Sequence, residues 1–388
     1  MELYKKRISD LGRIVTGKTP RTSKAENYGG KIPFLTPSDD LSGKFAPKTV
    51  KTITELGLSE VRNCLLPSKS VCVSCIGSDL GKVVITNEPT VSNQQFNSII
   101  PTEENDTDFI YYLMTIVGKE LNFLSKTSTA VPIINKSTFA DYEIEIPSLE
   151  NQRRIAKVLS SLDDKIEVNR RINDNLEQRG QALFEEYVMN LNKPRTQLLS
   201  DYALINPTRT IAKGRAARCI EMSSLPTKGT FPSDWTFKEY NGGMKFRNGD
   251  TIMARITPCL ENGKTAYINF LDENEVAFGS TEYIVLSAHE GFCSELLYFL
   301  ARYDDFVSYA VSHMNGSSGR QRVSGNDIAN YVMPEISNET MDVVSEKLHG
   351  IMEVIKNNSL ESRRLAEIRD ALLPRLMSGD FKLEEVNM

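Results

Sequence analysis

The sequence lacks the features of several protein classes. It has no run of about 18 apolar residues, and its first ten residues, MELYKKRISD, lack the apolar core of a signal peptide. It has only three histidines and one tryptophan, and its six cysteines are spaced irregularly along 388 residues. We therefore expect a cytoplasmic protein with free thiols, no disulfide framework and no metal site.

Positive charge is not in excess either. The chain has 46 Lys and Arg against 51 Asp and Glu, a formal net charge of −5. It is therefore not a polycation that coats nucleic acid by neutralising phosphates, and any nucleic-acid binding must use local basic patches or charge supplied by a partner. The length exceeds that of a typical single domain, which predicts two or more domains.

An internal repeat with an offset of 189 residues is the most informative feature. Steps of four and three alternate along two segments that begin at positions 155 and 344, and this spacing is typical of a coiled-coil seam. The predicted seam residues are Ile155, Leu159, Leu162, Ile166, Asn169, Leu176 and Leu183 in the first segment and Val344, Leu348, Ile351, Ile355, Asn358, Leu365 and Leu372 in the second. Ser148 and Ser337, suited to capping the helix N-termini, precede them at the same offset.

The pattern predicts an α+β protein made of two pseudo-symmetric parts. Short strand-like runs with turns, and one helix each at residues 108–124 and 293–311, indicate mixed α/β globules at 1–147 and 192–336. Long helices are predicted at 148–191 and 337–379, with a tail at 380–388. We expect the helices to pair as an antiparallel coiled coil with a globule at each end. Alternatively, each helix folds back on its own globule.

One motif resembles a nucleotide-binding signature but lacks its context. Residues 12–19, GRIVTGKT, match the phosphate-cradling pattern G-x-x-x-x-G-K-[ST]. The residues before this segment do not form an apolar strand. Pro20 disfavours a helical conformation of Thr19, so we expect no helix to begin directly at this segment. We therefore expect no nucleotide hydrolysis at this segment.

Two further motifs are equally incomplete. Cys72 and Cys75 form a single CxxC whose side chains would face opposite sides of a strand, which favours two buried residues over a redox or zinc site. Asn206-Pro207 begins like the base-gripping motif of amino-methyltransferases but lacks the second proline and the aromatic residue. We predict that the chain has no catalytic residues.

Basic and polar loops are the candidates for DNA contact. Residues 208–218 and 316–323 carry arginines and a lysine without any acidic residue, and basic residues also lie near the start of the chain. These side-chain types contact phosphates and base edges. The candidates are Lys18, Thr19, Arg21, Lys24, Lys31, Lys126, Thr127, Thr129, Arg209, Lys213, Arg215, Arg218, Arg320 and Arg322.

The first helix carries more apolar residues than one seam requires. Candidates for contact with partner subunits are Val158, Val168, Ile172, Phe184 and Val188. Contact with the chain's own globules is the alternative for these residues.

Three short sequence segments resemble segments of the specificity subunit of type I restriction-modification systems. They are VTGKTP at 15–20, LDDKIEVNRRIN at 162–173 and RDALLPRLMSG at 369–379, and the resemblance extends over the whole chain. It implies two target-recognition domains, each followed by a conserved helix, in a non-enzymatic subunit that binds double-stranded DNA at a bipartite target. It also implies docking of two methyltransferase subunits and of restriction subunits. S-adenosylmethionine, ATP and magnesium are then expected on those partners, with no cofactor in this chain.

Other functions stay open on the sequence alone. A coiled-coil scaffold with two protein-binding globules and no role on DNA is the main alternative. An ATPase or a methyltransferase would require that the isolated chain bind the cofactor. Salt-dependent duplex binding distinguishes the DNA reader from the scaffold.

Overall fold

The structure, a computed structural model, describes residues 1–77, 79–125, 133–190, 195–317 and 319–379. Its contacts divide the chain into two compact units: unit 1 consists of Met1–Lys165 with Leu365–Met388, and unit 2 of Ile166–Arg364. The sequence pattern predicts the long helices as separate domains. The division instead falls inside both helices, so each unit contains one globule and part of each helix.

Unit 1 contains two four-stranded sheets and a strand pair. Its strands are β1 (Tyr4–Arg7), β2 (Gly12–Thr16), β3 (Tyr28–Leu35), β4 (Lys51–Ile53), β5 (Leu65–Leu66), β6 (Val71–Ser74), β7 (Val83–Ile85), β8 (Thr90–Ser92), β9 (Phe96–Pro101) and β10 (Glu143–Ile146). The sheet orders are β2-β9-β6-β7 and β4-β3-β8-β5, and β1 pairs with β10. Strands β3 and β8 run parallel, whereas the other pairs are antiparallel.

Unit 2 reproduces this topology strand for strand. Its strands are β11 (Thr196–Leu198), β12 (Ala203–Ile205), β13 (Ala216–Ile220), β14 (Thr236–Glu239), β15 (Lys245–Phe246), β16 (Asp250–Ala254), β17 (Thr265–Tyr267), β18 (Ala277–Gly279), β19 (Tyr283–Ala288) and β20 (Val332–Pro334). The orders are β12-β19-β16-β17, β14-β13-β18-β15 and β11-β20, with β13 and β18 parallel. The predicted repeat therefore extends from the helices through every described strand.

Most helices follow the same repeat, although Glu55–Glu60 has no α-helical counterpart among the described residues of unit 2. They are α1 (Ile8–Leu11), α2 (Glu55–Glu60), α3 (Thr107–Ser125), α4 (Lys136–Ala140), α5 (Leu149–Phe184), α6 (Ser294–Arg302), α7 (Asp304–Ser312), α8 (Gly325–Ala329) and α9 (Asn338–Met377). A π-helical turn, Glu185–Met189, extends α5. The predicted helix at 293–311 is broken into α6 and α7 because Tyr303 has an extended backbone with φ −72° and ψ 129°.

The central strand of each globule is covered on both faces. Val71 and Val73 of β6 lie in a core shared with α3, whereas Cys72 lies in the core between the two sheets. Successive strand residues point to opposite faces, so a strand between two cores is buried at every position, as β6 is. In unit 2, Ile252 and Met253 of β16 divide between two cores in the same way.

Within unit 2 the two long helices pair antiparallel. Nδ2 of Asn173 donates to Oγ of Ser359 at 3.1 Å, and Nζ of Lys347 donates to the Tyr187 hydroxyl at 3.0 Å. Later residues of the first helix thus meet earlier residues of the second, which confirms the predicted antiparallel pairing. Asn169 lies against its own repeat equivalent, with Nδ2 3.4 Å from the carbonyl oxygen of Asn358.

The seam residues nearest the helix N-termini pack on the globules as well. Ile155 and Leu159 belong to the core of unit 1 that contains α3, and Val344 and Leu348 belong to the core of unit 2 that contains α6. The two arrangements that the sequence offered, helix pairing and packing on the chain's own globule, therefore occur together at different positions of the same helices.

Candidate nucleic-acid interface

A glycine turn after β2 positions the first group of candidates. The amide of Gly17 donates to the carbonyl of Phe96 at 3.1 Å, and that of Lys18 donates to Ser92 at 2.9 Å. A Cβ on Gly17 would lie 2.1 Å from the carbonyl oxygen of Asn93, so only glycine permits this approach. The turn presents Lys18 to solvent beside the connection between β8 and β9.

That connection contributes amide side chains to the same edge. Oγ1 of Thr19 donates to Oε1 of Gln94 at 2.7 Å, and Nδ2 of Asn93 donates to Oε1 of Gln95 at 2.9 Å. Gln94 is exposed, whereas Asn93 is buried. The buried amide therefore fixes the turn, and the exposed one is available for an external ligand.

A third segment joins this edge from the end of the globule. Nδ2 of Asn97 donates to the carbonyl of Ile134 at 3.2 Å, and Ile133 forms a bridge with Ile76. We call the exposed surface formed by residues 17–19, 93–95 and 133–136 the first polar edge. The candidates Lys126, Thr127 and Thr129 lie outside the described residues.

Unit 2 has an edge at the equivalent positions. Residues 280–282 connect β18 to β19 as residues 93–95 connect β8 to β9, and Ile256 bridges Arg322 as Ile76 bridges Ile133. The amide of Thr257 donates to the carbonyl of Gln321 at 3.1 Å, which holds the neighbouring loop against this segment. We call residues 255–257, 280–282 and 320–322 the second polar edge.

The second polar edge carries more positive than negative charge. Arg322 donates from Nη2 to Oε1 of Glu282 at 2.7 Å and from Nε to both carboxylate oxygens at 2.9 Å. These bonds outweigh partial burial and lower the pKa of Glu282, so its carboxylate stays ionised at neutral pH. Arg255 lies 4.0 Å from the same carboxylate, and Arg320 is exposed.

Two candidates are corrected because their guanidinium groups are internal. Nη2 of Arg209 lies 2.6 Å from Oδ1 of Asp250, and the side chains are only 9% and 1% exposed. Arg209 therefore neutralises a buried carboxylate at the start of β16, the opposite end of that strand from Arg255. Arg218 is 11% exposed and pairs with Asp272 at 3.2 Å and Glu275 at 3.3 Å.

The other described candidates lie at the surface and stay predictions. Lys18, Arg21, Lys31, Lys213, Arg215 and Arg320 are exposed, and Thr19 is half-buried. Lys24 is exposed and forms an ion pair with Glu60 at 3.2 Å. Arg322 is 37% exposed and orients Glu282, so the pair presents both an acceptor and a donor group.

Gln94, Gln95 and Arg255 are interface candidates that the search for basic loops missed. The sequence feature that indicates them is the polar segment SNQQ at residues 92–95, which lies between two apolar strands. The turn formed by this segment is equivalent to residues 280–282 in the second half. A search for polar turns at equivalent positions of the two halves would have found it.

The predicted partner contacts divide into two groups. Phe184 and Val188 are fully buried in the core of unit 2, and the Phe184 ring packs edge-on against Tyr303 at 5.9 Å, so a partner cannot reach them. Val158 packs half-buried against the core of unit 1. Val168 and Ile172 remain 47% and 41% exposed on α5.

The incomplete catalytic motifs have structural roles. Residues 12–16 of the P-loop-like segment form β2, and the next helical segment is only the three-residue turn Ala25–Asn27. Oδ1 of Asn206 accepts from the backbone N–H of Val285 at 2.9 Å, and the backbone N–H of Asn206 donates to the carbonyl of Val285 at 2.8 Å. Its polar groups thus extend the β12–β19 pairing.

The CxxC cysteines are buried in separate cores. Burial raises the pKa of the Cys72 thiol to about 12 and that of Cys75 to about 11. Both thiols are therefore protonated and unreactive at neutral pH.

Among the described residues, no group of three or more His, Cys, Asp or Glu side chains is arranged to hold a metal ion. The described helices include none with the length and apolar character needed to span a membrane.

Comparisons with known proteins agree with this architecture. The family model described as the type I restriction modification DNA specificity domain matches residues 2–178. The MjaIX specificity subunit of Methanocaldococcus jannaschii is 27% identical over 98% of this chain and 94% of its own length. The HindI specificity subunit of Haemophilus influenzae is 36% identical over 44% of this chain and 38% of its own.

Residues 2–178 thus contain the DNA specificity domain of type I restriction-modification systems, and the chain over nearly its whole length is similar to specificity subunits of that family. This family is the non-catalytic DNA-recognition component of type I systems. The fold agrees: the crystal structure of the type I restriction-modification S subunit from M. genitalium aligns with a TM-score of 0.56 at 17% identity, covering 97% of this chain and 96% of the other. The resemblance inferred from the sequence phrases is thereby confirmed.

Proposed function

We propose that this specificity subunit reads a bipartite DNA target, one half through each unit, and docks methyltransferase and restriction subunits onto it. The strand-for-strand duplication, with a polar edge in equivalent loops of both units, carries the proposal. Two independent copies of one binding module are suited to two half-sites on one duplex. The amide and guanidinium groups at these edges are types that hydrogen-bond bases in the major groove.

The side chains at the two edges favour different bases. Gln94 accepts from Thr19 through Oε1, which leaves the amide nitrogen free to donate to a base. Glutamine pairs well with adenine, whereas arginine pairs well with guanine. The first polar edge, with Gln94 and Lys18, and the second, with Arg255 and Arg320, are therefore expected to read different half-sites.

The helices supply surface for partners. Val168 and Ile172 lie one helical turn apart on α5 and remain exposed, which suits packing by a helix of another subunit. A net charge of −5 indicates that the partners supply part of the phosphate binding. We propose two methyltransferase subunits together with restriction subunits as partners, and these would carry S-adenosylmethionine, ATP and magnesium.

Exchange of one globule tests the proposal. Residues 1–147 are replaced by the equivalent globule of a relative with a different target, and methylated sites are sequenced in cells that supply the partner subunits. We expect one half-site to change and the other to persist, because each unit has its own cores and its own polar edge. The reciprocal exchange of 192–336 should change the other half. A change of both half-sites in either exchange contradicts modular reading, and a lack of salt-dependent duplex binding by the complex favours the scaffold.

A further inference from the structure

The two units differ at one equivalent position where a long helix packs on a globule. In unit 1 the Tyr112 hydroxyl donates to Oδ2 of Asp163 at 2.5 Å, and Nη1 of Arg369 donates to Oδ1 of the same carboxylate at 2.6 Å. Tyr112 is 1% exposed and the Asp163 side chain 10%. We call these three residues the polar triad; they come from α3, α5 and α9.

The repeat offsets identify their counterparts in unit 2. The helix offset of 189 relates Asp163 to Met352 and Arg369 to Gly180, and the starts of α3 and α6 differ by 187, which relates Tyr112 to Phe299. The preceding tyrosines support this alignment: Tyr111 packs edge-on against Tyr112 at 5.0 Å, as Tyr298 does against Phe299 at 5.2 Å. We call Phe299, Met352 and Gly180 the apolar triad.

The residues of the apolar triad are closely packed. Phe299 is fully buried and Met352 is 2% exposed. A Cβ on Gly180 would lie 2.3 Å from Cζ of Phe299, so the ring occupies the space that any larger side chain would need. At the equivalent position of α9, unit 1 carries Arg369, whose guanidinium contacts the Asp163 carboxylate.

We propose that this difference determines which helix end each globule accepts, and so prevents two copies of the chain from pairing like with like. If the end of α5 that carries Gly180 packed on unit 1 of a second copy, Gly180 would stand where Arg369 normally lies. Asp163 would then be buried without its cation. Were α9 to pack on unit 2 of a second copy, the Arg369 guanidinium would meet the Phe299 ring. The first arrangement leaves a largely buried carboxylate without its cation, which is strongly destabilising. The second forces a guanidinium, which also pairs with Asp370 on its own helix, into space that the Phe299 ring already fills. The inference does not depend on DNA recognition.

Stability measurements on the full-length chain test whether the triads are equivalent. Arg369→Gly should lower Tm by roughly 5–10 °C because it leaves Asp163 buried and unpaired. The triple variant Y112F/D163M/R369G, which gives unit 1 the apolar triad, should recover most of that loss. Arg364→Gly makes the same change at a less buried position of α9 and controls for the helix propensity of glycine. A triple variant that does not fold, or is no more stable than R369G, contradicts the equivalence.

Exchange between copies tests the selection itself. Two differently tagged full-length copies are unfolded together, refolded at high concentration and captured through one tag. Wild-type chains should show only background capture of the other tag, whereas the triple variant, with alike positions in both units, should show a several-fold increase. R364G should behave as wild type. A triple variant that refolds and still gives wild-type capture overturns the proposal.

Discussion

At the scale of single residues, the fate of a basic side chain depends on partners that the sequence does not show. Arg209 stands in a loop without acidic residues, yet Asp250, 41 residues further on, lies 2.6 Å from it in the fold. Arg320 stands in a similar loop and remains exposed. Local composition therefore predicted a basic loop correctly but could not distinguish an internal ion pair from a DNA contact.

This difference predicts opposite effects for two alanine substitutions. Arg320→Ala should weaken duplex binding by the assembled complex and reduce the slope of log affinity against log salt by about 1 if it removes a phosphate contact, with Tm unchanged. Arg209→Ala should destabilise the protein by roughly 3–5 kcal/mol because Asp250 is left buried and unpaired. Thermal unfolding and salt titrations of duplex binding, carried out on both variants, distinguish a loss of stability from a loss of DNA contact. A loss of stability in R320A without a change in binding would contradict the assignment.

A pH dependence follows from the pair between Glu282 and Arg322. The bonds lower the pKa of Glu282 in the folded state below its ordinary value of 4.5. Such a group stabilises the fold above about pH 4.5, and the contribution is lost as the pH falls through the folded pKa. Glu282→Gln should therefore reduce the free energy of unfolding by about 1 kcal/mol at pH 7 and by less at pH 3. Denaturant titrations at the two pH values measure this, and an equal loss at both would contradict it.

At the scale of elements, the long helices were predictable and the small strands were not. The seam and the N-caps repeat at a fixed offset, and α5 and α9 begin within two residues of the predicted starts at 148 and 337. Strands such as β5 and β15 have two residues each, too few for any periodicity to be recognised. For a related reason the sequence left two alternatives open for Phe184: an apolar stripe does not reveal whether a globule of the same chain or another subunit covers it.

Two glycines within the long helices should respond in opposite directions to alanine. Alanine is ordinarily favoured over glycine inside a helix by about 1 kcal/mol. A methyl group on Gly350 would meet no atom of another described element within 4 Å, so Gly350→Ala should stabilise the protein by about 1 kcal/mol. Gly180→Ala should instead destabilise it by roughly 1–3 kcal/mol, because the methyl group would meet the Phe299 ring at 2.3 Å. Chemical denaturation of both variants tests the packing, and a stabilised G180A would show that the ring moves aside freely.

At the scale of the whole molecule, the chain consists of two copies of one module whose surfaces differ. Every described strand pairing of unit 1 has its counterpart in unit 2, whereas the polar edges and the triads differ. The common part supplies the fold, and we have proposed that the differing parts supply selectivity, for DNA at the polar edges and for the helix ends at the triads. The modules should therefore be interchangeable once the triad residues match.

A chain with two copies of the second globule tests this interchange. Residues 192–336 replace residues 1–147 ahead of α5, and the transplanted copy carries Phe299→Tyr. The substitution is needed because Asp163 and Arg369 remain in the helices and require a hydroxyl donor where Tyr112 stood. In cells with the partner subunits, sequencing of methylated sites should show a target in which the second wild-type half-site occurs twice. The same chain with Phe299 retained should have a lower Tm and methylate fewer sites, since one acceptor of the buried carboxylate loses its partner. Retention of the first wild-type half-site would show that residues outside 1–147 read it.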